Sequence, residues 1–492
     1  MAAIPSSTET VQDPGLGIAG AVSNIPVVVG YSSTGTANSY KRYSSINTLV
    51  SERGQGPAVE FAAELLAVTG GPVGFVTSST SVAAAIGTVT QTGADTLLVA
   101  SGTPTNDFNV LVEIVAGGAL GTATFKYTLD NYSGSEAAQR TYSPVITVPS
   151  GGSYLLPSTG ITITFAGTQT AGNVHSFVAG CAAMNTTDLN TAMAAVDATS
   201  TDWRFVCAVT SNENGDPTTG AGLAAALQSQ LNTMATNSKY RAGMIAACKD
   251  DADPESDFAA VVADRLLIDY GKVRHISAKP FVGYGYVDQI GTISYAMRAA
   301  GSVISTDLKR VSGNGLQNGG PLPNVVKLFK DERIEATGLD DIKISTLRTY
   351  DGRPGFFITQ GRIKSALGSD FVYWPLRIIM DVACETAHQV QTGFIGRGVR
   401  TNSDGSIDER DALRLESEVQ SVLDARLTSP RSAEGTPGHV SAVVYSIDRT
   451  NNVNTTSTII AEVAIRPLGY IDYITTTLGF SVNVGGEEAE EA

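Results

Sequence analysis

Strand-like runs separated by helical periodicity set the tightest limit on what this chain can fold into. Ile25 to Gly30 (IPVVVG), Val73 to Thr77, Trp203 to Thr210 and Tyr240 to Cys248 read as strands, the first of them short and buried. Between them run helical stretches. Pro57 to Val68 has Pro57 at its first turn and Val59, Ala62, Ala63 and Leu66 on one stripe. Thr187 to Val196, Thr218 to Thr236 and Pro254 to Asp269 follow, with a further strand expected from Val273 to Ala278 and a helix over Asp288 to Ala300. Strands that alternate with helices in this way form parallel β-α-β units whose sheet is covered on both faces.

The alternation is interrupted once. From about residue 88 to 180 helical signals almost vanish, and Val110, Val112 and Ile114, then Phe125, Tyr127 and Leu129, then Ile161, Ile163 and Phe165 recur at the period of a half-buried strand. Turn sequences rich in Gly, Pro and Ser separate them. This is an all-β insertion, so the α/β domain is expected to be discontinuous, 23–87 and 181–320, around an inserted β domain at 88–180.

Residues 321–477 read as a C-terminal α+β domain. Strands at Ile342 to Thr349 and Gly355 to Gly361 flank the turn TYDGRPG, and helices run over Phe371 to Gln391 and Asp408 to Leu427. The second helix buries Ala412, Leu415, Val419, Val422 and Leu427. His439 to Asp448 and Thr456 to Arg466 are strands, with Ile459, Ala461, Val463 and Ile465 alternating along the second. Residues 1–22 read as an extended arm. Residues 478–492 read as a second arm, in which Leu478, Phe480, Val482 and Val484 alternate with Gly479, Ser481 and Asn483 ahead of an acidic tail. A strand of this kind folds back on its own chain or adds to a neighbour's sheet, because an open edge invites pairing.

Composition narrows the function. With 492 residues and a net charge of −15, the chain lacks the clustered Lys and Arg that phosphate binding needs, so no nucleic-acid partner is expected. No apolar run approaches the roughly 18 residues of a membrane helix, and no secretory signal heads the chain, so no membrane insertion and synthesis in a cytoplasm are expected. Cys181, Cys207, Cys248 and Cys384 show no metal spacing and read as reduced thiols. Gly15 to Gly20 matches G-x-G-x-x-G but lacks the preceding strand and following helix of a dinucleotide site. Asp216-Pro217 and Asp253-Pro254 read as helix caps, and Asn212, Glu213, Asp250 and Asp251 beside them carry a metal or acid–base site only as a lesser alternative. His175, His275, His388 and His439 belong to no recognisable constellation, and neither G-x-S-x-G nor a phosphate loop occurs. No enzyme, no cofactor and no metal are expected.

Several short stretches, taken in order, resemble the contractile-tail sheath proteins of bacteriophages, especially those of Mu-like and related myophages. They are Gly30-Tyr31-Ser32-Ser33-Thr34-Gly35, Gly54-Gln55-Gly56-Pro57, Gly70-Gly71-Pro72-Val73, GTATFKYTLD at 121–130 and ITVPSGGSYLLPSTGITITF at 146–165. Tyr373-Trp374-Pro375-Leu376-Arg377, Asp448 to Asn452 and the run Glu462 to Ile471 complete the series. Gln360-Gly361-Arg362-Ile363 stands where many sheath proteins carry Gly-Ala-Arg-Thr, which marks a divergent branch. The resemblance implies a virion structural protein, assembled in the host cytoplasm, that polymerises helically around a tail tube and contracts to drive that tube through the host envelope. It implies homo-oligomer contacts together with tail tube, baseplate and tail terminator partners. It assigns Leu478, Phe480, Val482 and Val484 to an inter-subunit arm and Val443, Tyr445, Ile459, Val463 and Ile465 to the receiving sheet. The C-terminal domain becomes the inner layer and the β insertion faces outward. Asp408, Glu409, Arg414, Glu416 and Glu418 become a tube contact, against the plainer reading of a solvated helix face. Two other functions remain open from the residues alone: a surface-binding module whose β insertion grips a glycan or receptor, and an α/β enzyme.

Overall fold

The computed structural model describes residues 25–93, 98–131, 137, 140–199, 203–210, 217–247, 254–276, 286–300, 308–311, 319–334, 338–428, 438–469 and 474–475. The expected arms, Leu478, Phe480, Val482 and Val484 among them, and the Gly15 to Gly20 string lie outside these residues. The chain divides into two compact units, Met1–Gly398 and Val399–Ala492.

The first unit opens with β1 (Pro26–Gly30), β2 (Tyr40–Tyr43), α1 (Ile46–Arg53), α2 (Pro57–Thr69) and β3 (Val73–Thr77). Every residue of β1 and β3 is buried, as expected of strands covered on both faces. Pro57 starts α2, and Gly70 ends it in the left-handed region at φ 63°, where its N–H reaches Leu66 O. Then comes the β layer: β4 (Ala85–Ile86), β5 (Thr90–Thr92), β6 (Leu98–Gly102), β7 (Phe108–Ala116), β8 (Thr124–Thr128), β9 (Ile146–Thr147), β10 (Ser153–Leu156), β11 (Ile161–Phe165) and β12 (Val174–Gly180). Two antiparallel sheets, ordered β10-β11-β6 and β4-β12-β7-β8-β9, make it up. Phe125 links them, tilted against Phe165 at 4.8 Å and edge-on to Tyr154 at 5.3 Å.

Polar contacts stitch this layer to the α/β part. Val82 and Ala183 exchange both backbone hydrogen bonds, at 3.0 Å each, where the chain leaves and returns. Buried Asn106 donates to Glu60 Oε1 of α2 at 2.8 Å. Asp188 closes the capping box with Asn185 that starts the next helix, and also accepts from Ser81 N at 2.8 Å.

Return to the α/β pattern brings α3 (Thr186–Asp197), β13 (Phe205–Val209), α4 (Pro217–Thr236), β14 (Ala242–Ala246), α5 (Pro254–Asp257) and β15 (Leu266–Asp269). The sheet runs β15-β14-β13-β1-β3-β2, parallel throughout except for the edge strand β2. The helix expected over Pro254 to Asp269 is therefore wrong beyond Asp257. Leu266-Leu267-Ile268-Asp269 is a fully buried run that pairs with β14, and periodicity alone does not separate such a run from a buried helix. β16 (Lys272–Ile276), β17 (Tyr286–Ile290) and β18 (Val325–Leu328) form a separate antiparallel sheet, so the strand expected near Val273 does not extend the parallel one. The helix expected from Asp288 starts later, as α6 (Thr292–Ala300), because Asp288 pairs with Arg274 across β16 and β17.

β19 (Leu347–Tyr350), β20 (Arg353–Ile358) and α7 (Trp374–Thr392) complete the first unit. The division thus falls at 398/399 rather than near residue 320. Side chains distant in sequence hold α7 there. Trp374 stands edge-on to Phe205 at 5.7 Å. Buried Asp381 accepts from Arg265 Nη1 at 2.9 Å and Arg377 Nε at 3.0 Å, and Glu385 accepts from Arg204 at 2.8 Å. Arg377 and Asp381 are an i,i+4 pair within α7, but nothing local in the sequence announces the pairs with Arg265 and Arg204.

Since the two ends of the β layer meet at Val82 and Ala183, residues 83–182 are expected to be removable with a short Gly-rich linker. The shortened chain should retain a cooperative thermal transition, lowered by no more than about 10 °C. Loss of cooperative unfolding would show that the β layer belongs to the α/β core.

Candidate inter-subunit site

The second unit holds α8 (Glu409–Leu423), a single π turn at Asp424–Thr428, β21 (Val440–Ile447), the short α9 (Val453–Thr456) and β22 (Ala461–Pro467). Asp408 caps α8 by accepting from Arg410 N. Ala412, Leu415, Val419, Leu423 and Leu427 are buried with Val440, Val443, Tyr445 and Ile447 of β21, while Val422 is only half-buried. The helix thus covers one face of the β21–β22 hairpin. Among the described residues the two strands pair only with each other.

Their register shows which edge stays open. Val443 faces Ile465, Val444 faces Ala464, Tyr445 faces Val463 and Ile447 faces Ala461. Gln420 of α8 donates to Val443 O at 2.9 Å and accepts from Tyr445 N at 2.8 Å, and Glu416 Oε1 accepts from Ile447 N at 2.7 Å. The backbone groups of 443, 445 and 447 therefore point away from β22, and α8 takes Val443 O, Tyr445 N and Ile447 N. In an antiparallel pair their opposite residues, Ile465, Val463 and Ala461, point their own N–H and C=O groups off the far side of β22. The hairpin has one edge capped by helix side chains and one edge of free backbone groups, on β22.

The expected receiving residues divide accordingly. Val443 and Tyr445 are spent on the α8 interface, Val463 and Ile465 are half-buried on the same face, and Ile459 is half-buried ahead of β22. Only Val463 and Ile465 lie on the strand with the open edge. The sequence missed the capping of β21 because Glu416 and Gln420 look like ordinary surface residues of a helix.

Of the expected tube-contact charges, Asp408, Glu409 and Glu416 prove to be tied, while Arg414 stays exposed. Arg449 reaches both oxygens of Glu416 and donates to Glu409 Oε2 at 2.9 Å. Arg400 donates to Asp411 through its backbone N at 2.7 Å and Nη2 at 2.9 Å, which holds that carboxyl down at about 2. Glu416 and Glu409 are also held below the usual carboxylate range, first by hydrogen bonds from Arg449. Glu418 is half-buried, and Asp408 is spent as the cap. The exposed strip of α8 is instead Arg410, Leu413, Arg414, Ser417 and Ser421, with Leu413 52% exposed.

The other residues singled out by sequence come to no shared site. His175, His275 and His439 are buried and His388 is exposed. Cys181 and Cys207 are buried and Cys384 is half-buried, with no disulfide among the described residues. Cys248, Asn212, Glu213, Asp216, Asp250, Asp251 and Asp253 lie outside the described residues. Among the described residues no group of three or more His, Cys, Asp or Glu is placed to hold a metal ion, and no helix is long and apolar enough to cross a membrane.

Burial shifts several titratable groups of the first unit, among them Asp269, Asp340 and His275. Asp269, at the end of β15, is pushed up to about 8 even though Thr292 of α6 donates to it. Asp340 is pushed up to about 7 despite Arg362 Nε at 3.0 Å. His275 is pushed down to about 4. A raised carboxyl contributes stability that is lost as pH rises through its folded pKa, while a depressed imidazole contributes stability that is lost as pH falls from its ordinary value of 6.5 toward 4. Between pH 6.5 and 8 only the carboxyl effect remains. Stability there should fall by about 1.4 kcal/mol per pH unit for each ionising carboxyl. Asp269→Asn should flatten that slope in urea titrations run at several pH values; an unchanged slope would mean that Asp269 is already ionised.

No protein-family model matches the chain, and no curated protein matches it. Solved structures do. A chain of the anti-feeding prophage baseplate in its contracted state is similar over 98% of this chain and 100% of its own, at TM-score 0.53 and 11% identity. The helical sheath of the anti-feeding prophage in its contracted state is similar over 98% and 100%, at 0.49 and 10%. A sheath tail protein from Listeria innocua is similar over 91% and 92%, at 0.45 and 11%. The first of these likenesses establishes a shared fold from end to end.

The tied charges make a direct test. Arg449→Met leaves the half-buried Glu416 without its cation, and the second unit should lose about 1–3 kcal/mol of stability. Arg410→Glu combined with Arg414→Glu should leave unfolding within about 0.5 kcal/mol of the parent chain. Equal effects of the two changes in denaturant titrations would put both sets of charges on the same footing.

Proposed function

We propose that this chain is the structural subunit of a contractile tail sheath. The observation that carries the reading is the likeness, over 98% of this chain and 100% of the other, to a chain of the anti-feeding prophage baseplate in its contracted state. The open edge on β22 supports it, because a two-stranded hairpin is marginal alone and gains most from a further strand. In this reading a neighbouring subunit supplies that strand through Leu478, Phe480, Val482 and Val484, and it pairs along Ala461, Val463 and Ile465. The reading calls for no catalytic group. Contraction repacks rigid subunits while the strand pairings hold, so the work comes from interfaces.

Magnitudes fit a mesh rather than a tight dimer. Each large apolar side chain buried is worth about 1.5–3 kcal/mol and each ladder bond about 1 kcal/mol net. Ordering the arm costs about 1–2 kcal/mol per residue, so one pairing is weak and repetition around a lattice makes it strong. Heterologous pairing that does not close generates an open helix. The partners in this reading are further copies of the chain, a tail tube, a baseplate and a tail terminator. The tube contact falls on Arg410, Leu413, Arg414, Ser417 and Ser421 rather than on Glu416 and Glu418, with a polar, salt-sensitive fit to an acidic surface.

Electron microscopy of the purified chain should show long striated tubes. Truncation after Thr477 should abolish them while the unfolding transition stays where it was, whereas removal of residues 485–492 should leave them intact. Tubes that persist without 478–492, or a truncated chain that no longer unfolds cooperatively, would defeat the strand-exchange reading.

A further inference from the structure

We propose that two free copies of this chain pair with each other along β22, antiparallel and about a two-fold axis, so that their hairpins join into one continuous sheet, β21-β22-β22-β21. The pairing depends on the open edge and on the residues of β22 alone, so it goes beyond the sheath reading and concerns the subunit before any polymer forms.

Parity is the first reason a second copy suits this edge. The outward backbone groups of β22 belong to Ala461, Val463 and Ile465. An antiparallel second β22 therefore meets them only in registers that set odd-numbered residues against odd-numbered ones. Charge then selects among those registers. Glu462, Ala464 and Arg466 stand exposed on the face of the hairpin turned away from α8, opposite Ser446, Val444 and Ala442. With Ala464 on the two-fold axis, Glu462 of each copy falls directly across from Arg466 of the other, and Val463 falls across from Ile465. The strand is complementary to itself in this register. Centring Val463 instead also satisfies parity, but it sets Glu462 against Ala464 and gives Arg466 no opposite charge directly across. In a chain of net charge −15, copies repel each other except where both signs face one another.

Access completes the argument. Glu416 and Gln420 tie α8 to the β21 edge, and Val463 and Ile465 are only half-buried on the α8 face, so α8 leaves the β22 edge uncovered. In the pair, Val463 of one copy covers Ile465 of the other. Pro467, which has no N–H, ends the ladder. In the sheath reading a neighbour's arm takes this same edge, so each dimer withholds its two subunits from the lattice until it dissociates.

Sedimentation velocity of the full chain, over a concentration series and after any tubes are pelleted, should show a monomer–dimer equilibrium. Glu462→Arg alone and Arg466→Glu alone set like charges across the axis, and each should weaken the dimer at least about tenfold. Both positions are exposed, so the fold is kept. An equimolar mixture of the two variants should recover the dimer to within about threefold of the parent, because each Arg of one copy then faces a Glu of the other. With Cys248 and Cys384 replaced by Ser, Ala464→Cys should cross-link two copies under mild oxidation, since a non-hydrogen-bonded pair brings its Cα atoms to about 4.5 Å. Ser446→Cys, exposed on the same face of β21, should not. A soluble fraction that stays monomeric, single variants that dimerise like the parent, a mixture that fails to recover, or equal cross-linking at both positions would each overturn the pairing. Dimers in a chain that forms no tubes would support the pairing and count against the sheath reading alone.

Discussion

An unpaired strand edge is the constraint on which the reading of this molecule depends. Backbone N–H and C=O groups are obligatory hydrogen-bonding groups, and the free side of β22 carries those of Ala461, Val463 and Ile465 with no partner strand among the described residues. The opposite side of the same hairpin is closed by Gln420 and Glu416 of α8. That asymmetry turns a generic hazard into a directed one: a strand can add on one side and not on the other. Arg449 fixes Glu416 in place, so an ionic contact within the unit decides which edge is available.

The first unit is held together by buried strands and buried ion pairs. The inner strands of its parallel sheet are buried on both faces, and among the described residues buried Arg265 and Arg377 are paired with buried Asp381. Replacing one member of that trio leaves an uncompensated charge in the interior, so the trio sets where α7 sits more than how stable it is. The β layer is hung from the sheet by the Val82–Ala183 bridge and by Asn106 on Glu60, and falls in the same compact unit as the α/β part.

Much of this was legible in the sequence, and the failures have physical causes. The buried strands, α2, α4, α7 and α8 and the turn-rich β layer follow from periodicity and from Pro and Gly at helix ends. Residues 266–269 were misread because a short run of leucine and isoleucine satisfies strand and helix alike, and only pairing with β14 separates them. The place of α7 was not legible, since Asp381 meets Arg265 across more than a hundred residues of chain. At the candidate site the ties of Glu416 and Glu409 to Arg449 were not legible in the sequence. Glu416 and Glu418 look exposed on a helical wheel, and the arginines that hold acidic groups of α8 come from a loop before the helix and a turn after β21.

A helical reconstruction by electron cryo-microscopy of the polymerised chain tests the central claim most directly. The account requires a strand from a neighbouring subunit lying along β22, bonded to Ala461, Val463 and Ile465, while Gln420 and Glu416 still occupy the far edge of β21. A lattice in which β22 remains an unpaired edge, or in which the added strand displaces α8 from β21, would contradict it.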